Sequence, residues 1–91
     1  MKTITKEKLN KYFKITKEAL ELAKVNPGKN KEVFDDFIDM ISRYVEDAKY
    51  FEKKQDFVNA FAALSYAHGW LDAGARSKVF LVKDSRLFTV D

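Results

Sequence analysis

Apolar residues recur at helical spacing through most of the chain. In the first block Leu9, Phe13, Thr16, Leu20 and Ala23 follow one another at intervals of 4, 3, 4 and 3, the mark of a stripe buried on one side of a helix. Tyr12 and Ala19 widen that stripe, and Ile15 and Leu22 widen it again, so more than one neighbour must cover it. The hydroxyl of Thr3 or Thr5 is placed to cap the first turn. Asn26-Pro27-Gly28 ends the helix, because proline disfavours helical geometry in the residue before it and glycine tolerates a positive φ. A second block, with Asn30 as its cap, carries Phe34, Phe37, Ile41, Tyr44, Ala48 and Phe51, with Ile38 and Val45 beside them. Asp35, Asp36, Asp39 and Glu46 take the opposite face. After the polar turn Glu52–Asp56, Asp56 is placed to cap a third helix. That helix has two adjoining stripes: Phe57, Phe61, Leu64, His68, Leu71 and Ala75 are mostly bulky, whereas Ala60, Ala63, Ala67, Trp70 and Gly74 are mostly small.

The pattern predicts helices over about residues 4–25, 31–54 and 57–76. Joined by short turns, they make a mainly α, up-and-down three-helix bundle in a single domain spanning residues 1–91. The tail, residues 77–91, reads differently. Val79–Val82 and Leu87–Val90 are β-branched and aromatic, which predicts strands 79–82 and 87–90 in a short hairpin or extended tail. Such a hairpin pairs Val82 with Leu87 and Val79 with Val90. Its turn at Asp84–Ser85 lacks the glycine or asparagine of a tight primed turn. It needs a surface beneath it, either the wide arc of the first helix or a second copy of the chain.

Composition narrows the function classes. The chain has 91 residues, no cysteine and a formal charge of +3; disulfides and thiolate metal sites are therefore absent. No run of about 18 apolar residues is present, so no membrane span is expected. The start MKTITKEKLN lacks an apolar signal core, which points to the cytoplasm. The lysine- and glutamate-rich makeup suits a thermophile. Charge is uneven: residues 1–25 hold seven lysines against three acids, and residues 30–56 hold five basic against eight acidic residues. Complementary neighbouring helices account for this more simply than a nucleic-acid surface does. The alternative surface runs through Lys6, Lys17 and Lys24 along one edge of the first helix.

Candidate chemistry concentrates between Asn59 and Arg76. His68 and Asp72 stand four apart, where the carboxylate can orient the imidazole, with Ser65 three residues earlier. One helix offers those three no oxyanion hole, and two ligands fall short of a metal site. Asp35 and Asp39 read as a solvated acidic face rather than a cation site. A histidine held in packing is the default for His68, and packing is likewise the default for Trp70. Gly69 falls among exposed positions in mid-helix, at a cost of about 1 kcal/mol relative to alanine; a bend, the returning tail or a partner would account for it. Tyr50 and Tyr66 lie on outward arcs. There is no Gly-rich phosphate loop, catalytic carboxylate pair or metalloprotease helix motif, so neither a cofactor nor an enzymatic activity is expected.

The stretch DFVNAFAALSYAHGWLDAGAR, Asp56 to Arg76, and RLFTV, Arg86 to Val90, resemble a family of small archaeal proteins catalogued as domain of unknown function 357. The specific part is YAHGWLDAG; the two earlier helices match in length and pattern. Family members carry glycine before the aspartate that opens this helix, where Gln55 stands here. The resemblance implies a three-helix bundle, an archaeal cytoplasmic protein and no assigned activity, and it brings no catalytic residues. The residues therefore favour a non-enzymatic interaction module that uses the third helix and tail, through His68, Trp70, Asp72 and Arg76. Its partner is an unidentified protein or a second copy of the chain. Nucleic-acid binding through the lysines and a small enzyme or ligand site at His68 and Asp72 are the alternatives.

Overall fold

The computed structural model describes residues 4–89. Three helices run in sequence order: α1 over Lys6–Lys24, α2 over Lys31–Lys53 and α3 over Phe57–Arg76. Each begins on a side-chain cap. Thr5, Asn30 and Asp56 accept hydrogen bonds from the backbone N–H groups of Lys8, Val33 and Asn59, which satisfies one otherwise orphaned donor per helix.

The C-terminal ends of α2 and α3 share one geometry. After α2, Asp56 N donates to Phe51 O and Gln55 N to Glu52 O, both at 2.9 Å. After α3, Val79 N donates to Gly74 O at 2.8 Å and Lys78 N to Ala75 O at 3.3 Å. This paired pattern is the Schellman motif, which places one residue in the left-handed region. Gln55 and Lys78 fill that place, with φ of 60° and 61°. An L side chain at that φ crowds its own backbone, so glycine would fit both places with less strain.

The helices pack around two hydrophobic clusters, with α3 in the middle and its broadest interface on α2. Toward one end Leu9, Phe13, Ala48, Ala60, Ala63 and Leu64 close the core. Toward the other, Ala19, Leu20, Ala23, Ile41, Val45, Ala67, Leu71 and Ala75 do so together with four tail residues: Phe80, Val82, Leu87 and Phe88. Both stripes of α3 reach the interior, with Ala60 and Ala67 of the small stripe and Leu71 of the bulky one fully buried. Thr16 is also buried, and its hydroxyl has no hydrogen-bond partner.

The tail corrects the expected hairpin. Among the described residues there are no strands, only an isolated antiparallel bridge between Pro27 and Phe80. The first tail segment pairs with the α1–α2 loop instead: Gly28 N donates to Val79 O and Leu81 N to Asn26 O, each at 2.8 Å. The chain then turns through Asp84, whose carbonyl accepts from Leu87 N and Phe88 N and whose side chain accepts from Arg86 N. That turn is one loop of helix, so Leu87 cannot return alongside Val82. The expected partner Val90 lies outside the described residues. Asp-Ser suits such an acid-capped turn and lacks the positive φ that a tight hairpin requires. The surface beneath the tail is its own bundle, with Ile15 and Leu22 packed against the same cluster.

Two glycines are fixed by this docking. A Cβ on Gly74 would overlap the Phe80 ring, and one on Gly28 would overlap the Lys78 carbonyl. Gly28 does not adopt the positive φ expected of it; close approach of the tail backbone is what requires glycine there.

Candidate functional site

The residues singled out in α3 do not form one cluster. His68 and Asp72 face the tail. Their side chains are 32% and 25% exposed and their nearest polar atoms are 3.7 Å apart, too far for a hydrogen bond. Asp72 Oδ1 instead accepts from Thr89 N at 2.8 Å, so the carboxylate holds the tail. The histidine is half-exposed, not sealed in the core. A groove of about 510 Å³ runs past both, between α1, α3 and the tail, with Arg86 on its wall. Arg86 is occupied: it donates to Glu18 at 2.6 Å and to Asp84 at 3.3 Å, and these bonds raise its pKa above the ordinary value.

Trp70 points the other way, toward α2. Its ring meets Phe37 edge-on, with centroids 4.8 Å apart, a favoured aromatic geometry. Beside it Tyr66 stacks on Tyr44 at 5.3 Å and 13°. Phe37, Tyr66 and Trp70 thus wall a second, open groove of about 610 Å³, whose floor is Ala62, Ser65, Gly69 and Ala73. Those four floor residues are exposed. Gly69 and Ser65 border both grooves, and a Cβ on Gly69 would meet nothing within 4 Å. Neither the tail nor another helix therefore explains that glycine. Arg76 ends α3 in an exposed position, near Lys78, Phe80 and Leu81.

The apolar groove combines residues that the helical pattern treated singly. Its signal in the sequence is a gap in charge: no Asp, Glu, Lys or Arg occurs between Asp56 and Asp72, although that span includes the outward arc of α3. The exposed faces of α1 and α2 are by contrast laced with charge, and Lys31–Asp35, Asp39–Arg43 and Glu46–Lys49 pair along α2.

The lysines of the nucleic-acid alternative are dispersed. Lys24 pairs with Glu21 at 3.4 Å, and Lys17 lies over the Phe13 ring at 5.6 Å. Lys17 does share a shallow groove between α1 and α2 with Lys14, Lys49, Lys53 and Tyr50, but Glu46 and Glu52 line it too. Lys49, through a hydrogen bond and its charge, holds the Glu46 carboxyl below the usual carboxylate range, with Lys17 and Lys53 adding to the effect. Lys6, the first residue of α1, is exposed and is not among the residues lining that groove. Among the described residues no three His, Asp or Glu side chains gather as a metal site would require, and no helix is long and apolar enough to cross a membrane.

A family model described as "Protein of unknown function (DUF357)" matches residues 11–80. The chain belongs to the DUF357 family. No curated protein and no solved structure matches it. The DUF357 match takes in most of α1, all of α2 and α3, and the first docking residues of the tail, Val79 and Phe80. It therefore spans Gly69 and both glycines against the tail, and it stops before the Arg86–Val90 stretch.

Proposed function

We propose that this DUF357 protein is a non-enzymatic interaction module whose contact face is the exposed side of α3. The observation that carries this is the uncharged groove floored by Ala62, Gly69 and Ala73 and walled by Phe37, Tyr66 and Trp70. It lies open on a molecule whose other helices present charge. An exposed glycine in mid-helix lowers helix stability by about 1 kcal/mol, and nothing within the chain requires it. Access to its backbone by a partner supplies a reason. Aromatic side chains beside small residues, here an exposed Tyr66 next to the half-buried Phe37 and Trp70, are the usual make-up of a contact that a flat or helical partner fills. His68 and Asp72 border the face on the tail side, and Arg76 stands at its far end. The lysine groove has less support as a nucleic-acid surface, because its own glutamates already neutralise part of it.

Capture from a nuclease-treated lysate of the source organism tests the reading, with Gly69→Glu beside the wild type. The substitution enters open space, so the fold is expected to survive; circular dichroism checks it. Associations of any kind, self-association included, are expected to be lost in Gly69→Glu and kept in Tyr50→Ala, which alters an exposed aromatic on α2. Equal association by all three proteins would overturn the assignment of this face.

A further inference from the structure

One exposed face of α3 repeats at a spacing that a second helix can match. Asn59, Ala62, Tyr66, Gly69, Ala73 and Arg76 follow at intervals of 3, 4, 3, 4 and 3, and all six are exposed. That spacing is a heptad seam, the pattern by which one helix packs along another. We infer that the occupant is a second copy of this chain, lying antiparallel across a twofold axis that passes α3 between Ala67 and His68. The inference rests on the contact-face reading and adds the partner's identity.

Antiparallel seams pair alternate positions, which sets Tyr66 against Gly69 of the second copy, Ala62 against Ala73, and Asn59 against Arg76. Each pairing occurs twice around the axis, as an isologous contact requires. The largest seam residue meets the smallest: the Tyr66 ring, on a residue 62% exposed, faces backbone that no side chain covers. Alanine against alanine on either side allows close approach of the two helices.

Charge agrees with the same register. The outward arc of α3 carries no charge between Asp56 and Asp72, so two copies meet without repulsion. Arg76 is the one formal charge in the seam, and it arrives beside Asn59 at the start of the other α3. There the Asn59 side-chain nitrogen donates to Asp56 Oδ2 at 2.7 Å, which leaves its carbonyl oxygen to accept from the guanidinium. The Asp56 carboxylate supplies the opposite charge close by. A parallel pair would instead set Tyr66 on Tyr66 and Arg76 on Arg76, crowding the middle and opposing like charges.

The absence of cysteine makes the register directly readable. In the antiparallel arrangement Ala62 is level with Ala73 of the second copy. It is offset from that copy's own Ala62 by eleven residues, about 16 Å along the axis, beyond the roughly 7 Å that a disulfide spans between Cα atoms. Under mild oxidation, a mixture of Ala62→Cys and Ala73→Cys proteins is expected to give cross-linked dimers, and either protein alone little or none. Sedimentation of the wild type should show reversible dimers. Gly69→Ala should weaken them about tenfold while raising the thermal midpoint of the dilute monomer. A wild type that remains monomeric at submillimolar concentration overturns the second copy. So does cross-linking of Ala62→Cys with itself as efficient as in the mixture. If the wild type is monomeric yet Gly69→Glu still abolishes capture from lysate, the contact face stands and a different protein occupies it.

Discussion

Gln55 and Lys78 each hold a backbone conformation that only glycine adopts without strain. For an L residue the left-handed region costs roughly 1–2 kcal/mol, offset in part by the greater chain entropy of glycine in the unfolded state. Gln55→Gly is therefore expected to stabilise the protein by about 0.5–1 kcal/mol, read as a higher midpoint in denaturant unfolding. The opposite holds at Gly74, where a methyl group would enter the Phe80 ring. Gly74→Ala is expected to destabilise by about 1–3 kcal/mol through overpacking, even though alanine is the better helix former. The three glycines thus differ in kind. Gly28 and Gly74 are required by the tail, and Gly69 by nothing inside the chain.

At the level of elements, the caps and stripes placed the helices well. Thr5, Asn30 and Asp56 act as caps because a short polar side chain beside a free N–H needs only local geometry. The tail departs from the expected hairpin for a matching reason. Its β-branched and aromatic residues promised strands, but their partners lay in the Asn26–Gly28 loop, more than fifty residues earlier, and pairing at that range leaves no local periodicity. Phe80 is the main anchor of this arrangement: it is fully buried, packs near Phe34 and Phe37 and sits on Gly74. Phe80→Ala is expected to cost about 3–5 kcal/mol in denaturant unfolding. Amide exchange at Gly28, which donates to Val79 O, should accelerate beyond the change in global stability.

At the scale of the whole molecule, burial outweighs surface charge. The ion pairs along α1 and α2 are exposed, with side-chain exposures from 42% upward, and such pairs contribute about 0–1 kcal/mol each. Raising the ionic strength from about 0.05 to 0.5 M, which shortens electrostatic range severalfold, is expected to shift the thermal midpoint only slightly. A large loss of stability would mean that the alternation of basic α1 and acidic α2 holds the bundle together. The charge blocks matter more as contrast, because they leave α3 as the neutral side of the molecule.

The sequence by itself determined what depends on near neighbours: three amphipathic helices, their caps, the breaks between them, and the concentration of unusual residues in α3. It marked Gly69 as exposed and Trp70 as a packing residue by default. Only the tertiary structure decided which of those residues share a surface. His68 and Trp70 are two positions apart and so point to different grooves, one against the tail and one against α2. Asp72 is committed to Thr89 rather than to its helical neighbour His68, because the tail brings a backbone donor closer than the imidazole. Phe37 joins the α3 groove from another helix, and Tyr44 stacks on its Tyr66 wall. Helical periodicity reports the face on which a side chain lies, but what meets that face is set by how the chain folds back on itself.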